Sequence, residues 1–265
     1  MLKRIFLLFM VLSLLSACSE LQSVLENNLQ KPEVSYKSLS LGSLSSNSIE
    51  LKPVFAITNP NAFALPVDAV SYHLAFNQKT MLDGQTSNIG KLPANGSKEV
   101  TVSVPLNKEV FQAFSELLLN NQQLDYEIAG DVQVMGMKIP FSKRATFYRP
   151  SLSIGKLDVK QASFDKLELL LTVNIDNRND FSLPLESLHY SASSGGKSLF
   201  SGGLSATTLK QGQSQLQLPL SVSPAEVFSS FLSMLTNPKL PLTLAVDGPL
   251  LHQQKNVELN LKQLF

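Results

Sequence analysis

Tryptophan is absent from this 265-residue chain, histidine occurs three times and cysteine once. Each scarcity removes a class of chemistry. His73, His189 and His252 fall in neither H-x-x-x-H nor H-E-x-x-H spacing, so no zinc site is readable. No G-x-S-x-G elbow and no phosphate-binding P-loop occurs. The stretch "SSGGKS", Ser193 to Ser198, lacks the first glycine at the required spacing and reads as a hairpin turn. Charged residues make up 16% against roughly 25% in an average soluble protein. The formal net charge of +1 leaves no basic footprint for nucleic acid. The carboxylates of "ASFDK" and "DNRND" sit on strand edges and turns and make a weak glycosidase pair. No catalytic residue, metal or cofactor is expected.

What the chain does have begins with "MLKRIFLLFMVLSLLSACSE". Lys3 and Arg4 precede an apolar run from Ile5 to Leu15, and the small residues Ser16 and Ala17 precede Cys18. That is the grammar of a secretory signal, too short and wrongly flanked for a spanning helix. "LSAC", Leu15 to Cys18, resembles the bacterial lipobox, in which the cysteine is acylated and becomes the mature N-terminus. Residues 1–17 are therefore expected to be a lipoprotein signal peptide and 18–33 a tether, with Cys18 as the lipidation site. Ser19, rather than Asp, resembles the sorting pattern of outer-membrane lipoproteins, which implies a periplasm-facing lipid anchor. Removal of residues 1–17 leaves 20 basic against 21 acidic residues, a near-neutral body suited to being held by lipid. In the tether, Leu21, Val24, Leu25 and Leu29 fit either a short amphipathic helix or a polar linker.

The body is a tandem repeat. "ITNPNAFALP", Ile57 to Pro66, returns as "IDNRNDFSLP", Ile175 to Pro184, at an offset of 118. The same offset pairs Leu51 with Leu169, Tyr72 with Tyr190 and Gly84 with Gly202. Late in the unit it pairs Gly130 with Gly248, Ile139 with Val257 and Phe147 with Phe265, with small gaps in between. Two units are expected, 34–149 and 150–265, joined at "RPS", Arg149 to Ser151, which is too short for free rotation, so that they pack or hinge closely.

Each copy alternates as strands do. Ile49, Leu51, Phe55 and Ile57 alternate, as do Val70, Tyr72, Leu74 and Phe76, and Val100, Val102 and Val104. One helix interrupts each copy. In the first, Asn107 is the expected N-cap and Val110, Phe111, Phe114, Leu117 and Leu118 share a face. In the second, Ser223, Pro224 and Glu226 supply the cap signals. The expected fold is mainly β: two tandem fibronectin-III-like sandwiches, each with one short α-helix.

Asn59, Pro60 and Asn61 close a strand, and Asn177 and Asn179 repeat them with Arg178 in place of the proline. Asparagine side chains bond nearby backbone and tolerate the left-handed region, so a structural turn is expected, with a polar ligand site made by the paired amides as the alternative. A strand ending in N-P-N, then an aromatic and L-P, is similar to the late embryogenesis abundant (LEA) type 2 family, whose repeat is also called the WHy domain. The resemblance implies a sandwich fold, a link to desiccation or water stress, and no catalytic site. A second reading, a module that binds or transfers a lipid or other apolar ligand of the envelope, stays open, as does an envelope protein partner. Met135 and Met137 flank Gly136 at the expected tip of a hairpin. At the same offset the second tip reads "HQQK", so the methionines are either buried or an apolar contact.

Overall fold

The computed structural model describes residues 29–162, 167–222 and 239–260. The first copy contains β1 (Glu33–Leu41), β2 (Ile49–Asn59), β3 (Leu65–Phe76), β4 (Lys79–Leu92), β5 (Gly96–Thr101), β6 (Val104–Leu106), α1 (Lys108–Asn121), β7 (Gln123–Val134) and β8 (Met137–Tyr148). One sheet places β2 between β1 and the β5/β6 pair, and the other has the order β4-β3-β7-β8. All these pairings are antiparallel. The alternating residues face inward: Leu51, Phe55 and Ile57 of β2 and Val70, Leu74 and Phe76 of β3 are buried. Phe55 meets Phe141 of the opposite sheet at 4.4 Å between ring centroids, as two packed sheets require.

The second copy repeats the plan with β9 (Ser151–Ala162), β10 (Leu167–Asn177), β11 (Leu183–Leu185), β12 (Leu188–Ser194), β13 (Lys197–Leu204), β14 (Thr207–Leu209), β15 (Gly212–Val222), β16 (Lys239–Gly248) and β17 (Leu251–Asn260). Its sheets run β15-β10-β9 and β13-β12-β16-β17, with β11 paired to β14. The tyrosine–glycine repeat has a physical role. Tyr72 lies across from Gly84 and Tyr190 from Gly202, and a Cβ on Gly84 would come within 2.3 Å of the Tyr72 ring. The hydroxyls cross to the facing sheet, where Tyr72 donates to the Ser103 carbonyl at 3.0 Å and Tyr190 to the Pro219 carbonyl at 3.1 Å.

Two local expectations change. The alternation of Val100, Val102 and Val104 is split between β5 and β6, although β15 is continuous. Pro53 faces the gap, between the pairs Val54–Thr101 and Leu51–Val104. Val102 still donates to the Pro53 carbonyl at 3.0 Å, but proline has no N–H to return. The repeat offset also fails late in the unit. Tyr72 faces Gly130, whereas Tyr190 faces Val246, so Gly248 is not the counterpart of Gly130. The second tip is not "HQQK": those residues lie within β17, and the turn is Pro249–Leu250, both buried.

Helix α1 has the expected cap, the Asn107 side chain accepting from the Val110 N–H at 2.9 Å. Val110, Phe111, Phe114 and Leu118 are its buried residues. The helix signals at 223–236 and Phe265 lie outside the described residues.

The copies pack together. Leu44 and β11 form a parallel bridge, Leu44 donating to the Pro184 carbonyl at 2.7 Å and accepting from Glu186 at 2.9 Å. Phe114 stacks edge-on against Phe147, and Phe147 meets Phe181 of the second copy at 5.5 Å.

Tyr36 is set against Phe55 at 5.9 Å. Burial, with the Asp180 carboxylate second, pushes its hydroxyl up to about 12. Burial pushes Tyr72 and Tyr126 in the same direction. The folded state therefore holds the Tyr36 proton where the unfolded chain, with a value of 10.0, has released it. The stabilisation is complete below pH 10 and is lost as pH rises through about 12. Denaturant melts across this window should show stability falling, and Tyr36→Phe should make the fall shallower. An identical fall in the variant would contradict the assignment.

Candidate functional site

At the end of each sandwich where the chain enters, an asparagine pair is buried. Asn59 and Asn177 are 0% exposed, Asn61 5% and Asn179 2%. The Asn59 amide donates to the carbonyls of Phe63 at 2.8 Å and Pro93 at 2.9 Å. Its oxygen accepts from the backbone N–H and the side-chain amide of Asn61, at 3.0 and 2.9 Å. Asn61 in turn exchanges a donor and an acceptor with the backbone of Gln30, as a strand neighbour would, at 2.8 and 2.9 Å.

The second copy reproduces every contact. Asn177 donates to Phe181 and Leu209 at 2.8 and 3.2 Å and accepts from Asn179 at 3.2 and 2.8 Å. Asn179 exchanges the same two bonds with Tyr148, both at 2.8 Å. Tyr148 is the last residue of β8, so the second entry clamp grips the first copy. Arg178 lies 4.5 Å above the Tyr148 ring, a cation–π contact that Pro60 cannot make. No asparagine of the four is among the described residues with positive φ. They are used for their hydrogen bonds, and the expected tolerance of left-handed backbone has no part in it.

The loops carried by these clamps differ. Phe181 is 6% exposed under Phe147. Phe63, its counterpart, is 37% exposed. Its neighbours Ala62 and Ala64 are exposed where the second copy has Asp180 and Ser182. Met135 is 51% exposed and has φ 49°, while Met137 is half-buried. The first tip thus lies open, the second of the two alternatives for Met135, while the second tip, expected to be the polar "HQQK", is formed by the buried Pro249 and Leu250.

Sequence spacing could not show one further group. Pairing of β12, β16 and β17 puts Asp247 between His189 and His252 on neighbouring strands, and His252 Nδ1 contacts the Asp247 carboxylate. Among the described residues, no serine or threonine hydroxyl bonds either imidazole, and no group of His, Cys, Asp and Glu is arranged to hold a metal. No described helix is long and apolar enough to cross a membrane. Cys18 lies outside the described residues.

Residues 54–145 and 172–260 each match the family described as late embryogenesis abundant protein. The chain belongs to the late embryogenesis abundant (LEA) type 2 family. Two curated relatives each match this LEA protein over 131 residues, 48% of its chain. They are "Late embryogenesis abundant protein Lea14-A" of Gossypium hirsutum, at 23% identity and 87% of its length, and "Desiccation protectant protein Lea14 homolog" of Glycine max, at 24% and 86%. Among solved structures, an Arabidopsis thaliana protein is 19% identical with a TM-score of 0.40, covering 45% of this chain and 83% of its own. An Archaeoglobus fulgidus protein is 13% identical with a TM-score of 0.35, covering 46% and 97%. The family matches take in both asparagine clamps.

Replacing Asn59 by Ala would orphan two carbonyls and an N–H in a buried site, and should cost about 3 kcal/mol by denaturant melting. Asn59→Asp should be at least as damaging at neutral pH, because a carboxylate would face the Phe63 and Pro93 carbonyls, and should recover partly on acidification. A neutral effect of both variants would show that the clamp is dispensable.

Proposed function

We propose that this LEA protein is a non-enzymatic lipoprotein of the bacterial envelope, held by an acylated Cys18, that protects envelope components during water loss. The observation that carries the stress link is the family match in both copies, together with a matched relative named for desiccation protection. The lipobox-like "LSAC" and the apolar run before it support the anchor. The chemistry available at the clamps agrees with a non-catalytic role. Their amides are saturated by backbone and by one another, so no donor remains for a substrate.

In this reading 18–33 is the tether, and 34–149 and 150–265 are two similar units working as one body. The anchor gives membrane proximity, and outer-membrane sorting follows from Ser19. Several acyl chains on one cysteine would make attachment stable, since a single chain binds only marginally.

Cys18→Ser should yield unprocessed or unanchored protein, and the mature mass of the natural chain should include acyl groups on Cys18. Cells producing the anchored form should survive drying better than cells lacking the protein. Unchanged fractionation and mass in Cys18→Ser would remove the anchor, and equal survival would remove the protective role. A lipid retained in native mass spectra of delipidated protein would instead favour a carrier of apolar ligands.

A further inference from the structure

We infer that the entry end of the first sandwich docks on the surface of a lipid bilayer through Phe63 and Met135. The two side chains lie at one end of one sheet. β3 leaves the Phe63 loop at Leu65, and Val67 pairs with Val134, the residue before the Met135–Gly136 tip. Asp68, bulged out of β3, accepts from the Gly136 N–H at 3.4 Å and ties the tip to that strand. Of the three large apolar side chains exposed among the described residues, two are here, and the third, Leu119, lies on α1 at the other end.

Both are presented in ways that folding does not favour. Phe63 sits between exposed Ala62 and Ala64 on a loop whose backbone Asn59 fixes. Met135 occupies left-handed backbone, a conformation for Asn or Gly. The hairpin turns Asn77–Gln78 and Gly195–Gly196 have positive φ too, but use polar residues or glycine, and Leu250 at φ 62° is buried. Among the described residues, only Met135 combines positive φ with a large exposed apolar side chain.

The bilayer is the occupant that fits this end. The chain enters here, since Asn61 holds Gln30. Ten residues, 19–28, separate Leu29 from Cys18, a reach of at most about 36 Å. This step rests on the proposed anchor. The exposed Lys31, Lys91 and Lys138 border the patch, with Glu33 and Asp68 as the neighbouring acids. Apolar tips with a lysine rim suit an anionic membrane interface. A second copy fits less well, because the backbone of Gln30 already fills the place that Tyr148 takes at the junction.

The absence of tryptophan makes the test direct. Full-length protein carrying Phe63→Trp, Met135→Trp or Leu119→Trp has one indole each. Vesicles of phosphatidylethanolamine and phosphatidylglycerol with brominated acyl chains should quench the first two severalfold more than the third. Two independent reporters cover a variant that fails to fold. Equal quenching at all three positions overturns the inference. So does blue emission at Phe63→Trp without vesicles that vesicles leave unchanged, which would mean cover by the chain's own N-terminal segment. A concentration-dependent shift without lipid would assign the patch to a second copy and overturn it as well. The mass of the same preparation reports acylation separately. Unacylated protein that is still quenched on adding vesicles would sink the anchor and keep the docking surface.

Discussion

A buried carboxamide that makes four hydrogen bonds is the constraint around which each sandwich is arranged. Where β2 and β10 end, the chain must turn while buried, and every polar backbone group there needs a partner. Asparagine alone supplies two donors and an acceptor at this length. Aspartate has no donor for two carbonyls, serine has one, and glutamine is a methylene too long. The second asparagine then acts as a short piece of strand, exchanging a donor and an acceptor with the residue that leads into the copy. Entry, turn and the start of the next strand are therefore fixed together.

The same device builds the junction. In the first copy the clamped residue is Gln30, at the edge of the body. In the second it is Tyr148, the end of β8, so the clamp becomes a bond between copies. The parallel bridge at Leu44, the Phe147–Phe181 contact and the Arg178–Tyr148 stack gather around it. Removing both partners of such contacts from water rewards close packing more than free rotation, as the short "RPS" connection anticipates.

Much of this was legible in the sequence, because its causes are local. Period-two alternation placed the strands, and Asn107 with an apolar stripe placed α1. The asparagines stood out as a motif, but their long-range partners, Pro93 and Leu209, could not be read from turn chemistry, which suggested left-handed backbone instead. The break opposite Pro53 needed knowledge of which strand faces which. The shorter second hairpin shifted the repeat, so a constant offset set Met135 against Gln253 when the second turn is at Pro249. Asp247 between two histidines follows from sheet pairing alone. The exposure of Phe63 beside the burial of Phe181 follows only from which copy has a neighbour.

That last asymmetry makes the first entry end a poor seat for another copy. A head-to-tail repeat with identical ends would continue to add copies. Here the first entry end lacks the arginine that receives a tyrosine ring, having Pro60 in its place. The clamp residue Asn61 is already satisfied by Gln30 of its own chain. The aromatic that elsewhere meets a neighbouring copy is left in water between two alanines, where a solvated loop would carry polar residues such as Asp180 and Ser182. The first entry end thus has none of the contacts that Arg178 and Phe181 make at the junction and keeps an apolar surface, so the same hydrogen-bonding device joins the copies at one end and stands open at the other.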